Sequence, residues 1–194
     1  MLTFDESSHE YRMHGKVVPS VTQILGVLSD FSGVPEHILE SARDRGTATH
    51  IACHLDDRGI LDKESLSDEI IPRLSAWRKF KMDYPFEVIQ SETPVYHPIY
   101  GYAGTPDRGI ILADTLDEVV VDIKTGPISS PIGMQIAAYK DAMVNNNVIS
   151  RDAQRWSVHL GADGKYKIKK WEDASDFTDF LAVLRTMRII EKFK

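Results

Sequence analysis

Cysteine is almost missing from this 194-residue chain, which has only Cys53. A single thiol excludes an internal disulfide and any zinc or iron-sulfur centre held by several thiolates, a usage that fits a reducing compartment. Also missing is any apolar run of the roughly 18 residues that a membrane-spanning helix needs. Met1 to Glu10 lack the basic and apolar regions of a signal peptide, so the expected location is the cytoplasm. No G-x-x-x-x-G-K-[ST] phosphate loop occurs, which excludes a P-loop motor, and there is no internal repeat or low-complexity tract. Positive charge is not in excess either. A net charge of -6 argues against a protein that coats nucleic acid non-specifically.

What is present reads as one soluble globular domain, with 42% hydrophobic and 27% charged residues. Charge is unevenly spread: residues 151–194 hold ten basic and seven acidic side chains, leaving residues 1–150 at a net of -9. Within the positive part, Lys165, Lys167 and Lys169 alternate onto one face of an expected strand, with Lys170 beside them. Lysines guarding a sheet edge and a rail that tracks phosphates are both consistent with that pattern.

Periodicity supplies the elements. A hairpin is expected over His9 to Pro19, turning at His14-Gly15. Ser20 and Gln23 have the spacing of a capping box, so a short helix should run from Val21 to Leu28. Pro35 suits the first residue of a longer helix that ends near Gly59. Apolar residues recur at helical spacing from Lys63 to Tyr84, with Pro72 as a start or a kink. Strands are expected at Glu87 to His97, Gly101 to Ala113 and Glu118 to Lys124, then a helix from Pro131 to Val144. Two further strands, Gln154 to Leu160 and Lys165 to Trp171, flank Asp163-Gly164, and a last helix begins near Ser175. The expected fold class is α/β, a central mixed sheet flanked by helices. Residues 1–86 form the N-terminal hairpin and helices, 87–145 the core that carries chemistry, and 146–194 a C-terminal hairpin and helix.

The chemistry centres on one hairpin. If Arg108 to Leu112 and Val119 to Val121 pair symmetrically about Asp114 to Asp117, residue 107 falls opposite 124 and 109 opposite 122. Side chains alternate with period two, so Asp122 and Lys124 share a face. Charges gathered beside an apolar sheet cost several kcal/mol per ion unless a counter-ion or substrate compensates them. Paired carboxylates with open positions suit Mg²⁺ or Mn²⁺. Asp107 and Asp122 are the expected ligands, with the Ile123 carbonyl completing the shell and Lys124 orienting a water or stabilising a phosphoryl transition state. Any one of these residues alone would be read as an ordinary surface charge; their joint spacing makes the case.

Gly101-Tyr102-Ala103-Gly104-Thr105-Pro106-Asp107, Val121-Asp122-Ile123-Lys124-Thr125-Gly126 and Gln135-Ile136-Ala137-Ala138-Tyr139 together resemble the PD-(D/E)XK nuclease superfamily in its RecB-like exonuclease branch. Upstream, Gly46-Thr47-Ala48-Thr49-His50 is similar to that branch's helical Gly-Thr-x-x-His element, and Pro19-Ser20-Val21-Thr22-Gln23-Ile24-Leu25 resembles the opening segment of phage exonucleases. The resemblance implies a restriction-endonuclease-like core and a Mg²⁺- or Mn²⁺-dependent DNA exonuclease of recombination, replication or repair, of phage or bacterial type. It implies metal ligation by His50, Asp107 and Asp122, with Glu92 as a further acid, and a catalytic role for Lys124. Gln135 and Tyr139, four apart on one helix face, would steer the scissile phosphate. Thr47, Thr125, Arg45, Lys165 and Lys167 are candidate DNA contacts, and a phage recombination or single-strand-binding protein is a candidate partner. The middle acid is aspartate where many members have glutamate, and the lone cysteine places the chain with members that lack an iron-sulfur cluster.

Three alternatives stand beside this reading. His50, Cys53 and His54 have the spacing of a zinc half-site. Arg43 and Arg45 are equally suited to phosphate and to pairing with Glu40 or Asp44. A nuclease-like fold that binds or scaffolds DNA without cutting it is the rival function.

Overall fold

The computed structural model describes residues 1–5, 8–29, 33–128 and 131–193. It opens with strands β1 (Leu2–Asp5), β2 (Glu10–Met13) and β3 (Lys16–Val18), an antiparallel sheet in the order β1-β2-β3. The β2–β3 turn has positive φ at both His14 (50°) and Gly15 (78°), the geometry that suits a two-residue hairpin loop. β1 was not foreseen, because four residues give too short an alternation to stand out.

Helix α1 (Val21–Gly26) starts where the capping box set it: the Gln23 amide donates to Ser20 Oγ at 3.0 Å, and the Ser20 amide donates to Gln23 Oε1 at 2.9 Å. Such a cap stabilises a helix by about 1 kcal/mol. Helix α2 (Glu36–Asp57) follows, with Pro35 as its N-cap rather than its first residue. From Glu36 to Arg45 only Leu39, Ala42 and Arg45 are even half-buried; beyond that, Thr49, Ala52 and Cys53 are buried. The helical pattern expected from Lys63 divides into a 3₁₀ turn (Lys63–Ser65) and helix α3 (Ile71–Asp83), with Pro72 in the first turn of α3, where its missing N–H costs nothing.

The main sheet has five strands in the order β10-β9-β8-β7-β4: β4 (Phe86–Ser91), β7 (Arg108–Leu112), β8 (Glu118–Lys124), β9 (Gln154–Leu160) and β10 (Tyr166–Lys170). β8 and β9 are parallel and joined through helix α4 (Pro131–Asn145); the other pairings are antiparallel, so the sheet is mixed. Helix α5 (Asp176–Glu191) closes the chain. Val119, Val121, Ile123, Trp156 and Val158 pack on Leu74, Trp77 and Phe80 of α3, whereas Val120 faces α4, α5 and α1. Each sheet face thus has its own core.

Two expected strands are each broken in two. Glu87 to His97 divides into β4 and β5 (Val95–His97), because Glu92 adopts a left-handed backbone (φ 47°) that turns the chain off the sheet. Gly101 to Ala113 divides into β6 (Tyr102–Gly104) and β7 across Thr105-Pro106-Asp107, and β5 and β6 form a separate ribbon. The central register also differs from expectation. Arg108 lies opposite Val121 and Gly109 opposite Val120, which brings position 107 beside 122 rather than 124. The turn takes in Ala113 and leaves Asp117 on the ladder, where the Leu112 amide donates to the Asp117 carbonyl at 2.9 Å and Leu116 takes φ 61°. The offset is two residues, so every side chain keeps its expected face.

Candidate metal centre

Asp107 follows Pro106 at the break between β6 and β7. Its Oδ2 accepts the Ile123 amide at 2.6 Å, so the carboxylate bridges the gap where the β7–β8 ladder ends. Asp107 Oδ1 lies 3.1 Å from His50 Nδ1. His50 reaches it because Thr47, His50, Ile51 and His54 recur at helical spacing on one face of α2, and that face lines a cleft of about 670 Å³.

Asp122, almost fully buried, has Oδ2 2.8 Å from Lys124 Nζ. That contact is an ion pair without directed hydrogen-bond geometry, so this oxygen remains a buried acceptor with no aligned donor. Lys124 Nζ donates instead to Gln135 Oε1 at 3.1 Å, and Gln135 Nε2 donates to the Tyr139 hydroxyl at 3.2 Å. Gln135 and Tyr139 sit one turn apart on α4, and Tyr139 approaches β6 closely only because Gly104 has no side chain; a Cβ there would lie 2.6 Å from the Tyr139 ring. Glu92 enters from the β4–β5 break. Ligand atoms of His50, Glu92 and Asp107 lie within 4.8 Å of one another, the one such group among the described residues.

Arg108 completes the arrangement and was not foreseen as a functional residue. Fully buried, it donates through Nη1 to Glu92 Oε1 at 3.1 Å and to the Asp107 carbonyl at 2.6 Å, and through Nε to Asp57 Oδ2 at 2.9 Å. The available signal was an arginine opening a strand whose next four residues are apolar, since an arginine is buried only when paired.

The ionisation pattern follows from this geometry. Burial, reinforced by the Asp107 charge, pushes the Glu92 carboxyl up to about 7. Burial also pushes Asp122 up to about 6, with Lys124 opposing and Asp107 adding to the rise. For Asp107 burial works in the same direction, but His50, Lys124 and the Ile123 amide outweigh it and hold the carboxyl below its usual range. His50 is raised because Asp107 overcomes burial, and Lys124 is raised because Asp122 and Asp107 do so. Two of the three carboxyls therefore resist ionisation as the site stands, chiefly because burial disfavours their charged forms.

No family model matches the chain, and a search of curated proteins found no match.

Of the residues singled out from sequence, Asp107, Asp122, Lys124, Gln135, Tyr139, His50, Glu92 and Thr47 all line the one cleft. Thr125 stands beside it, 3.9 Å from where a Cβ on Gly46 would sit. Arg45 is engaged with Glu69 at 3.1 Å. Lys165 lies on the β9–β10 turn, 3.8 Å from Asp163. Lys167 sits on β10 opposite His159, which in turn sits opposite Lys124, so it shares the Lys124 face two strands away. The zinc half-site does not assemble: Cys53 is in the core, with its thiol pushed far up by burial, and His54 Nδ1 is 2.8 Å from Ser91 Oγ.

Proposed function

We propose that the protein is a Mg²⁺- or Mn²⁺-dependent deoxyribonuclease, an exonuclease of DNA recombination, replication or repair, with the PD-(D/E)XK constellation as its active site. One observation carries the reading: ligand atoms of His50, Glu92 and Asp107, from three separate segments, lie within 4.8 Å of one another, and Asp122 from a fourth lines the same cleft beside the Lys124 ammonium. The donor set fits a hard divalent cation, because it offers carboxylate oxygens and one imidazole. The raised Glu92 and Asp122 carboxyls fit it too, since a bound cation would favour their charged forms.

A divalent cation bound there supplies Lewis-acid charge to a phosphate oxygen and acidifies a water. His50, Glu92, Asp107 and Asp122 would hold it. Lys124 keeps its proton under the influence of Asp122 and Asp107, so it presents a fixed positive charge beside the place where a scissile phosphate gathers negative charge. Gln135 fixes the direction of that ammonium, and the Tyr139 hydroxyl, whose ionisation burial pushes far up, stays a neutral donor.

The test is incubation of linear, circular, single-stranded and duplex DNA with Mg²⁺, Mn²⁺ or EDTA. The expected result is nucleotide release from linear DNA with either metal and none in EDTA. Cleavage in EDTA overturns the mechanism, and binding without cleavage under any metal leaves a DNA-binding scaffold in its place.

A further inference from the structure

The cleft has a wall that metal chemistry does not use. Phe4 from β1, His9 just before β2 and Tyr11 from β2 line it together with Asp107, Asp122 and Lys124. The Phe4 ring stacks on Tyr11 with centroids 4.5 Å apart and planes 29° apart, and meets His9 edge-on at 5.2 Å. Tyr11 is buried, and its hydroxyl lies 2.7 Å from Thr105 Oγ1, two residues before Asp107, so the small sheet is docked directly on the segment that carries the carboxylate. Phe4 belongs to neither hydrophobic core and is only half-buried, and His9 is exposed. Across α2, Ile51 adds an exposed aliphatic side chain to the same cleft.

Apolar rings facing a cation-and-phosphate site match a ligand that is planar and apolar at one end and anionic at the other, which is a nucleotide. The cleft's volume lies within the roughly 300–1,000 Å³ that encloses a ligand of that size. A base inside a duplex has both flat faces covered by its neighbours and the last pair of a blunt end exposes only one, as part of a rigid pair, whereas an unpaired base can turn either face to aromatic rings. We propose that Phe4 and His9, braced by Tyr11, form a stacking platform for an unpaired nucleobase next to the scissile phosphate, so that the DNA engaged in the cleft is single-stranded there. This rests on the nuclease reading above and adds to it the substrate form.

The experiment uses full-length Lys124→Ala protein with Mn²⁺, so that binding is read without cleavage. The probes are single-stranded oligonucleotides carrying 2-aminopurine or an abasic site at the 5′ or the 3′ terminal position, and a blunt duplex of the same sequence. Quenching of 2-aminopurine is expected at one terminus. Removing that base should weaken binding roughly ten-fold, the size of one base–aromatic stack. Phe4→Leu should weaken the intact oligonucleotide to the same degree and the abasic one no further, while Phe4→Tyr restores binding. If Phe4→Leu does not fold, the abasic comparison in the parent protein decides alone. Equal affinity for intact and abasic strands, or a blunt duplex bound as tightly as the single strand without quenching, overturns the platform and leaves the nuclease reading standing. Absence of Mn²⁺-dependent binding to any of these DNAs overturns both.

Discussion

Helix α2 meets two acidic clusters, one that it carries as Asp56 and Asp57 and one that it reaches through His50 about two turns earlier, and their proton affinities shift in opposite ways. At its C-terminal end Asp56 accepts Arg78 Nε at 2.9 Å and Lys81 Nζ at 2.8 Å, while Asp57 accepts Lys81 Nζ and Trp77 Nε1, both at 2.8 Å, and Arg108 Nε at 2.9 Å. Three cations and an indole serve two carboxylates. In the cleft, Glu92, Asp107 and Asp122 share Lys124, His50 and one arm of the same Arg108. The consequence shows in the proton affinities. Burial favours the neutral form of Asp56, but hydrogen bonds from Arg78 and Lys81 outweigh it and the carboxyl falls below its usual range, whereas Glu92 and Asp122 rise. Several aligned donors keep a buried carboxylate ionised, and fewer leave burial to favour its neutral form; the same residue type does both according to its neighbours.

The comparison breaks most sharply if the cleft carboxylates prove structural. Lys124→Ala and Asp122→Asn should each lower metal-dependent DNA cleavage by roughly a thousand-fold or more while the far-ultraviolet circular dichroism stays unchanged. Wild-type rates in either variant refute the assignment. Next in size is Arg108, which serves both clusters. Arg108→Met leaves Asp57 and Glu92 short of a buried cation and should cost about 3–5 kcal/mol, a fall of roughly 10 °C in Tm by calorimetry. A Tm within a degree or two of wild type would show that the clusters are independent.

A pH series sharpens the contrast. Glu92 and Asp122 bind protons more tightly folded than unfolded, so the stability associated with them is full at low pH and is lost as pH rises through about 6 to 7. His50 is also raised and loses stability in the same direction. Without metal, stability should therefore fall between pH 5.5 and pH 8, by an amount on the order of 2 kcal/mol, and Tm should fall with it. Mn²⁺ should raise Tm at pH 8 more than at pH 5.5, and Glu92→Gln should remove much of the slope. A Tm that rises across this interval counts against the raised carboxyls.

Asp56 has the opposite sign. Its folded value is depressed, so its contribution is present above the unfolded value near 3.8 and disappears as pH falls below that. Asp56→Asn should destabilise the protein by about 1 kcal/mol or more at pH 7 and much less at pH 3, measured by urea unfolding. Equal losses at both pH values would remove the electrostatic account.

Much of this arrangement was visible in the sequence because it depends on local rules. The Ser20–Gln23 cap and β9 at Gln154–Leu160 came from spacing alone, and period two put Asp122 and Lys124 on one face whatever the register. The register itself turned on whether Ala113 or Asp117 entered the turn, a choice made by the left-handed Leu116, which no pattern marks. The break at Glu92 was hidden for the same reason: a glutamate at positive φ is held there by its surroundings, with its amide donating to the Asp107 carbonyl at 3.2 Å. Arg108 took on its role only once α2 came alongside the sheet, a long-range contact that spacing does not reveal.

The mostly exposed first half of α2 makes the helix a beam clamped at one end. Its root is gripped by Asp56 and Asp57, and its first half, Glu36 to Arg45, is mostly exposed and tied down chiefly by the Arg45–Glu69 pair. His50 belongs to the packed half with Thr49, Ala52 and Cys53, about two turns from the grip, whereas the stretch before Thr47 has few buried contacts. Amide exchange along α2 should grade accordingly, fast over 36–45 and slow over 50–57. A packed segment that carries His50 and an outer segment mostly open to solvent are thus cut from one piece of chain.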